Sequence, residues 1–403
     1  MDIQPYINQM LGYIEAQDYA GYDPYDALKS PLLKALSRKS KWARILFTQF
    51  LKRSSLNVRP VVGIKKGHNP KGIGLFLWGY SKLYKIEQNP QYLSRIEHLL
   101  KLLEKLRCDG YSGSCWGYNF DWQSRTYFRP EGTPTIVNTS FIGHALLDCF
   151  EYTGIRRALD MAVSIKDFIL RDLYRTKECN AFCFSYTPID KAVVHNANLL
   201  GASLLIRLHK ICGDAQTQQA ALNSLAYSMR YQQENGAWYY GETEKQRWID
   251  SFHTGFNLQA IRYFLQAGFG EEYNQAYEKG VEFYADRFFL ADGKPKYYAD
   301  KVYPIDIHCP AQAIVFFSSM GEKYGELTER ILKWMLKNLY NDKGYFYFQK
   351  SEYHINTIPY IRWGQAWCFH GLTEYLLTRG RSEDARESEL SINKDFVGSC
   401  KCS

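Results

Sequence analysis

Two Asp–His pairs are the residues in this sequence best suited to chemistry. Asp250 precedes His253 in WIDSFH, and Asp306 precedes His308 in IDIH. A carboxylate beside an imidazole orients the ring, so that the histidine can act as an acid or a base near neutral pH. The aspartates also have a purely structural interpretation, because each stands where it could N-cap an apolar helix.

A third carboxylate, Asp121 in NFDWQ, widens the range of possible reactions. If Asp121 faced Asp250 or Asp306 across a cleft, the two carboxylates could supply the acid and the base that glycoside hydrolysis needs. The candidate catalytic residues are therefore Asp250, His253, Asp306, His308 and Asp121.

Planar aromatic and polar side chains surround these candidates in the sequence. Tyr and Trp faces stack on the apolar faces of sugar rings, while Asn, His and Arg side chains hydrogen-bond hydroxyls and carboxylates. This combination suits a carbohydrate better than a lipid or a nucleotide, and Arg129 or Arg362 could hold a sugar carboxylate. The candidate substrate-binding residues are Trp116, Tyr118, Trp122, Arg129, Asn138, His195, Asn196, Asn198, Tyr240, Trp248, Arg362 and Trp363.

A repeat of about 55 residues explains how positions so far apart in sequence can meet. Each copy has an aromatic turn, a polar loop and an apolar helix, and the copies end at Gly154, Gly213, Gly268, Gly321 and Gly380. An amphipathic helix separates successive copies. The segment 72–107 adds a sixth helical hairpin, so the predicted fold is all-α, an (α/α)6 toroid with a central cleft.

The loops before the inner helices should then converge at one mouth of the ring. An open superhelix is the alternative, but long polar loops on one side of every repeat favour closure. We predict a single domain over residues 1–380, with a less regular helical segment at 1–71 and a disordered tail at 381–403.

Composition limits the classes of partner. The chain has 403 residues and a formal charge of +8, which favours anionic partners. No nucleic-acid-binding motif occurs, so nucleic acid is not expected. HExxH, HxxxH and CxxC spacings are absent as well, and the sequence predicts neither a metal nor another cofactor.

The location that we expect is the cytoplasm. The N-terminus has neither a basic start nor an apolar core, and no run of 18 apolar residues occurs. Ten cysteines are scattered through the chain without a CxxC pair, as in a protein of a reducing compartment.

A basic segment at 34–53 interleaves Lys and Arg with Leu, Trp and Phe. One interpretation is an amphipathic helix in peripheral contact with the inner membrane or with an acidic partner. The other interpretation is an outer-layer helix with a solvated basic face.

Several long motifs resemble those of the VpsJ-like proteins of bacterial polysaccharide-biosynthesis clusters. They are GYDPYDAL, NPKGIGLFLWGY, CWGYNFDWQSR, GTPTIVNTSFIGHALLD, QQENGAWYYG and WIDSFHTGFNLQAI, which span the chain from about Tyr22 to Gly380. The resemblance implies an α/α toroid and a role in exopolysaccharide, capsule or lipid-linked glycan assembly. It supplies no reaction and no catalytic residue. The QQENGAWYYG turn is also similar to turns of squalene–hopene cyclases and glucuronyl epimerases.

Three hypotheses about function follow. The first is an enzyme of surface-polysaccharide biosynthesis that modifies an oligo- or polysaccharide, either anionic or lipid-linked, by uronate epimerisation, elimination or hydrolysis. The second is a non-catalytic glycan-binding or scaffold protein of the same pathway. The third, a terpene-cyclase-like enzyme, is disfavoured because no DxDD motif occurs. Carboxylates facing each other in the cleft would favour an enzyme, and one-sided aromatics would favour binding.

Overall fold

The computed structural model describes residues 1–124 and 127–379, so the predicted disordered tail at 381–403 lies outside the described residues. The all-α prediction is confirmed. The helices are α1 (Gln4–Ala16), α2 (Pro31–Ser37), α3 (Lys41–Arg53), α4 (Pro70–Glu87), α5 (Pro90–Lys105), α6 (Ile136–Thr153), α7 (Arg156–Asp167), α8 (His195–Cys212), α9 (Ala215–Met229), α10 (Ser251–Gln266), α11 (Asn274–Phe288), α12 (His308–Ser318), α13 (Gly325–Leu339) and α14 (367–379, preceded by the π-helical turn Ile361–Ala366).

The strands are two to four residues long and lie in the loops. They form antiparallel pairs β1–β2 and β3–β4, a three-stranded ribbon in the order β5–β8–β9, and the pair β6–β7. Their bounds are β1 (Trp122–Gln123), β2 (Phe128–Arg129), β3 (Arg175–Glu178), β4 (Ala181–Phe184), β5 (Ile305–Asp306), β6 (Tyr340–Asn341), β7 (Tyr345–Phe346), β8 (Gln349–Lys350) and β9 (Ile355–Asn356).

Six inner helices form a closed ring, which confirms the toroid and excludes the open superhelix. In order around the ring they are α4, α6, α8, α10, α12 and α14, and the turn that leads into α14 packs back against α4. The inner helices are apolar on nearly every side because each packs against two inner neighbours and an outer helix. The outer helices, such as α5 and α13, bury one mostly apolar face, which is Leu and Ile in α5 and also includes Trp334 and Met335 in α13.

Capping residues determine where the inner helices begin and end. Gly154 and Gly213 follow α6 and α8 with φ of 73° and 67°, the left-handed conformation that glycine adopts without strain. Asn69, Thr135 and Asp250 cap the other ends of α4, α6 and α10 with their side chains. Polar residues therefore gather at the mouth of the ring where the inner helices start.

The segment 1–71, expected to be less regular, contains a helix that completes the outer ring. α1 buries Ile7, Met10 and Ile14 in the main core. Its residue Glu15 accepts a hydrogen bond from Tyr80 Oη of α4 at 2.7 Å, and the Met1 carbonyl accepts one from Arg379 Nη1 of α14 at 2.9 Å. The first 16 residues thus contact both the first and the last inner helix, where the ring closes.

Ring closure depends on a close approach at Gly79. A Cβ atom placed on this α4 glycine would lie 2.3 Å from Phe369 Cε1 of α14. We expect Gly79→Ala to lower the free energy of unfolding by about 1–3 kcal/mol, because the buried Phe369 ring must shift. Denaturant unfolding measures this, with Gly12→Ala in α1 as the control because its Cβ would meet nothing within 4 Å. Equal stabilities of the two variants would contradict this packing.

In the part of the chain that the structure describes, no helix is both long enough and apolar enough to cross a bilayer.

Candidate active site

A cavity of about 430 Å³ opens at the mouth where the inner helices begin. All six inner helices contribute to its wall near their first turns. From α4 to the turn before α14, the contributions are Lys71, Val137, Asn196, His253, His308 and Arg362. The repeat therefore brings together positions that are far apart in sequence, as the toroid prediction requires.

Most of the predicted site residues line this cleft. Three candidate catalytic residues and eight candidate binding residues do so: Asp250, His253, His308, Tyr118, Trp122, Arg129, Asn196, Tyr240, Trp248, Arg362 and Trp363. The other six lie behind the wall or beside it: Asp121, Asp306, Trp116, Asn138, His195 and Asn198.

Asp121 and Trp116 have structural partners behind the wall. The Asp121 carboxylate is 2.6 Å from Lys34 Nζ and accepts a hydrogen bond from the Glu131 N–H at 2.8 Å. The Trp116 indole is fully buried and donates to the Leu103 carbonyl at 2.8 Å. Neither residue presents a free polar group to the cleft.

The polar residues at the starts of α6 and α8 also differ in role. Asn198 is fully buried and is held by main-chain groups of Phe184 and Ser224. His195 lies beside the cleft, with Nε2 paired to Glu242. Asn138 is fully buried outside the cavity wall, where its amide has no hydrogen-bond partner among the described residues.

Asp250 and His253 form a dyad at the start of α10. Asp250 is 2 % exposed, and its Oδ1 accepts a hydrogen bond from the His253 main-chain N–H at 3.0 Å. Its Oδ2 lies 2.7 Å from His253 Nδ1 and also accepts a bond from Trp248 Nε1. The N-cap interpretation is therefore correct, and the same carboxylate also orients the ring. With Nδ1 bonded to the carboxylate, Nε2 is the nitrogen available to a ligand in the cleft.

His308 lies in the same cleft without a carboxylate partner. It is 1 % exposed, and its ring packs between Phe252, Trp363 and Trp367 with centroids 4.6–4.7 Å away. Neither ring nitrogen makes a well-formed hydrogen bond with a described residue. Burial, with the nearby charges of Lys71 and Arg362, holds the pKa of His308 well below its usual range. The ring is thus neutral at pH 7.

Asp306 lies beneath the cleft wall and supports His308 indirectly. Its Oδ1 accepts hydrogen bonds from Trp363 Nε1 at 2.7 Å and from the His308 main-chain N–H at 3.0 Å. Asp306 therefore positions an aromatic wall residue and the first turn of α12, and it does not face a ligand. Burial raises the pKa of Asp306 to about 6.

The raised pKa of Asp306 gives a testable pH dependence. The folded state binds the proton more tightly than the unfolded chain, whose aspartate titrates near 3.8. The stability contributed by protonated Asp306 is thus present below about pH 4 and is lost as the pH rises through about 6. The free energy of unfolding of Asp306→Asn, compared with that of the wild type, should therefore rise by up to about 3 kcal/mol between pH 4 and pH 7.

Urea unfolding at several pH values measures this gain. Asp300→Asn is the control, since it removes an exposed carboxylate outside the cleft wall. Parallel pH profiles for the wild type and Asp306→Asn would contradict the assignment.

Lys71 is the main site residue that sequence reasoning missed. It lies in the first turn of α4, is 4 % exposed, and points its Nζ at the rings of Phe141, Phe256 and Trp367, 4.0–5.3 Å away. None of the ion pairs among the described residues includes it. Burial, together with Arg362, holds the pKa of Lys71 well below its usual range. Lys71 stands just before GIGLFLWGY, at the start of an inner helix, where the other cleft residues also lie. This position could have identified it from the sequence.

The two arginines of the cleft are tied to carboxylates behind it. Arg362 makes a bidentate contact with Asp23, from Nε at 2.6 Å and from Nη2 at 2.9 Å. Arg129 contacts Asp190 only once, at 3.3 Å, and its guanidinium lies over the rings of Trp122 and Tyr186. Arg129 therefore keeps donors available for a ligand. Arg362 has two of its donors bound to Asp23, so it mainly forms part of the cleft wall.

Aromatic rings form a stacking surface beside the dyad. Tyr240 and Trp248 stack nearly parallel at 4.5 Å, and Tyr240 is 4.7 Å from His253. Tyr25 contacts Trp122 and Trp363, which continues the aromatic wall to the first segment of the chain. Such faces are suited to a sugar ring.

Asp250 is the one carboxylate among the described residues that line the cleft. Hydrolysis by two facing carboxylates requires a second one at the same cavity. The described part of the chain also contains no group of three or more His, Cys, Asp or Glu side chains placed to hold a metal ion. The described wall thus combines a single carboxylate with imidazole and amine groups.

Comparison with solved structures finds the same architecture in carbohydrate enzymes. The chain is similar to a cellobiose 2-epimerase from Bacillus thermoamylovorans B4167, with 16% identity and a TM-score of 0.61 over 77% of this chain and 88% of that one. It is similar to a GH76 α-mannanase from Bacteroides thetaiotaomicron, with 10% identity and a TM-score of 0.61 over 78% and 88%. An unsaturated glucuronyl hydrolase specific for heparin matches with 12% identity and a TM-score of 0.57 over 78% and 88%.

No family model matches the chain, and no curated protein matches it. The resemblance to the VpsJ-like proteins thus stays a prediction. At these identities the structural matches establish the fold, which is the α/α toroid.

Proposed function

We propose that this protein is a glycan-modifying enzyme that moves a proton at the carbon bearing the carboxylate of a uronate residue. The observation that carries the proposal is the composition of the cleft. Its described wall contains one Asp–His dyad, a second histidine held neutral, and a buried lysine that forms no ion pair with a described carboxylate. These groups are suited to removing and returning a proton.

The reaction begins at His253. Its Nε2 takes the proton from the sugar carbon next to the carboxylate, and Asp250 stabilises the imidazolium that results. The electron pair of the broken C–H bond moves into the carboxylate and forms an enolate. Lys71 is placed to stabilise this charge, because no described carboxylate forms an ion pair with its ammonium.

Two products are possible from this intermediate. Return of a proton to the opposite face of the carbon gives the epimer, and Lys71 is the proton donor that we propose, since its lowered pKa makes its ammonium a stronger acid than that of an ordinary lysine. If the bond to the neighbouring glycosidic oxygen breaks instead, that oxygen takes the proton and an unsaturated uronate forms. The neutral His308 offers a hydrogen bond to the sugar in either case.

The charges of the cleft favour an anionic sugar. Lys71, Lys245, Arg129 and Arg362 line it together with Asp250 as the one described carboxylate. Arg129 has the freer of the two guanidinium groups and is the residue that we expect to hold the substrate carboxylate. Trp248 and Tyr240 would stack on the ring.

The biological setting is part of the same proposal. Solved structures of this fold include proteins described as a cellobiose 2-epimerase, a D-mannose isomerase and an unsaturated glucuronyl hydrolase. They support glycan modification by this chain. Its place in bacterial exopolysaccharide or capsule biosynthesis rests on the VpsJ-like motifs, and its place in the cytoplasm rests on the scattered cysteines.

A panel of uronate-containing and neutral polysaccharides in deuterated water tests the proposal. Deuterium uptake at sugar carbons, the absorbance of unsaturated uronates and new reducing ends would be followed together. We expect uptake or elimination on a uronate. New reducing ends without either signal would indicate hydrolysis, and tight binding without any reaction would favour a binding protein; both results would overturn the proposal.

A further inference from the structure

The segment from Ala27 to Lys66 carries the net positive charge of the whole chain. It contains eleven Lys and Arg residues and no Asp or Glu. The chain as a whole has a charge of +8, so the rest of the sequence has a net charge of −3. Apart from the buried Arg59, these positive charges lie on one small part of the surface, formed by α2, α3 and the loops beside them.

The same segment exposes an unusual number of large apolar side chains. Fourteen are exposed in the described residues, and half of these lie between positions 32 and 61. Trp42, Leu46 and Phe50 follow one another at intervals of four along α3 and are 72 %, 65 % and 60 % exposed. Residues spaced in this way share one face of a helix. Leu32 and Leu36 repeat the pattern on α2.

These side chains are not needed for the hairpin's own packing. A separate small core of Ala27, Leu33, Leu51 and Ile64 lies beneath it. Arg59, fully buried, joins Asp26 at 2.7 Å and anchors the loop. The exposed face is thus an addition to a hairpin that is already packed, and we call the exposed residues Leu32, Leu36, Trp42, Leu46 and Phe50 with their basic neighbours the α2–α3 face.

The α2–α3 face adjoins the mouth of the cleft. Arg44 Nε donates to Gln123 Oε1 at 2.9 Å, next to the cleft residue Trp122. Lys52 Nζ donates at 2.8 Å to the hydroxyl of Tyr25, which lines the cleft. The inner side of α3 thus packs against the cleft rim, and the exposed face lies one helix away from the entrance.

We propose that the α2–α3 face docks on an anionic lipid bilayer, so that the cleft mouth lies at the membrane surface and receives a glycan carried on a membrane lipid. Apolar side chains flanked by Lys and Arg match the two parts of such a surface, the acyl boundary and the negative headgroups. The docking rests on this face alone. The identity of the substrate rests also on the proposed function.

Vesicle co-sedimentation of the full chain tests the docking. We expect binding to vesicles of phosphatidylcholine with phosphatidylglycerol, weak binding to phosphatidylcholine alone, and loss of binding at high salt. The triple variant Trp42→Ser, Leu46→Ser, Phe50→Ser should weaken binding at least tenfold. Arg38→Glu with Lys39→Glu should weaken it by about fivefold for each charge removed. Tyr353→Ser, at the most exposed large apolar side chain, is the matched control and should bind as the wild type does.

Circular dichroism and sedimentation of each variant complete the test. If the folded triple variant still binds vesicles, or if the wild type binds neither vesicle, the proposal is overturned. A wild-type dimer that the triple variant cannot form would instead assign the face to a second copy of the chain.

Vesicle binding by a protein that shows no reaction on any glycan would leave the docking intact and overturn the proposed function. Chemistry that is equally fast on free and lipid-anchored glycan, despite binding, would overturn the assignment of the substrate.

Discussion

His253→Ala is expected to abolish proton exchange at the uronate carbon, with a loss of about 10³–10⁴-fold in rate. The physical reason is the position of the ring. Asp250 holds Nδ1 at 2.7 Å, so Nε2 is the basic nitrogen that remains in the cleft. Of the two histidines in the described wall, His253 is the one whose ring is paired to a carboxylate.

The structure offers a matched control for this variant. His98 also lies 2.8 Å from a carboxylate, Asp18 Oδ1, but it lies on α5 outside the cleft. His98→Ala should keep full activity. Exchange in deuterated water, measured on both variants with the same glycan, separates the dyad in the cleft from an ordinary Asp–His pair. Undiminished exchange in folded His253→Ala would rule out His253 as the base.

Lys71→Met is expected to raise stability while it lowers activity. The buried ammonium of Lys71 has no ion-pair partner among the described residues, so replacing it with an apolar side chain of similar length should raise the free energy of unfolding by about 1–2 kcal/mol. Loss of the charge that stabilises the enolate should reduce the rate by about 10²–10³-fold. Improved stability with lost activity is the pattern expected of a functional group held in an unfavourable environment.

The pH dependence of Lys71→Met gives a further check. The folded-state pKa of Lys71 lies below the ordinary value of 10.5, so the wild type is destabilised fully below that lowered pKa. The destabilisation is relieved as the pH rises towards 10.5, because the unfolded chain then holds more protons than the folded one. The stability gained by Lys71→Met should therefore shrink across the same range.

Lys82 provides the contrast for this prediction. It is also a buried lysine of α4, but it forms an ion pair with Glu374. Lys82→Met should lower stability, since it leaves a carboxylate without its partner. Urea unfolding of both variants gives the comparison. A Lys71→Met protein that is less stable than the wild type, or equally active, would contradict the role assigned to Lys71.

The toroid and its cleft could be predicted because the repeat is visible in the sequence. Five glycines at a nearly constant interval mark the repeat in the sequence, and Gly154, Gly213, Gly268 and Gly321 follow the described ends of inner helices within three residues. The loops before the inner helices then converge by symmetry. What the repeat does not specify is the rotation of each first turn. His195 and Asn196 are adjacent, yet Asn196 lines the cleft and His195 lies beside it.

The two Asp–His pairs show how one residue of spacing changes a role. Asp250 precedes His253 by three residues, so its capping carboxylate also reaches the imidazole. Asp306 precedes His308 by two residues, and its carboxylate bonds to the main chain of that residue and to Trp363. Long-range partners were beyond sequence reasoning as well: Asp23 and Arg362, 339 residues apart, meet only because the ring closes.

The position of deuterium in glycan recovered from deuterated water tests the central claim most directly. Nuclear magnetic resonance of a uronate-containing polysaccharide treated with the wild type should show deuterium at the carbon that bears the carboxylate, in the substrate or in its epimer, or an unsaturated uronate at that carbon. The same glycan treated with His253→Ala should show neither. New reducing ends with neither deuterium nor a double bond at that carbon would contradict the account, because cleavage would then proceed without the proton transfer that we propose for this cleft.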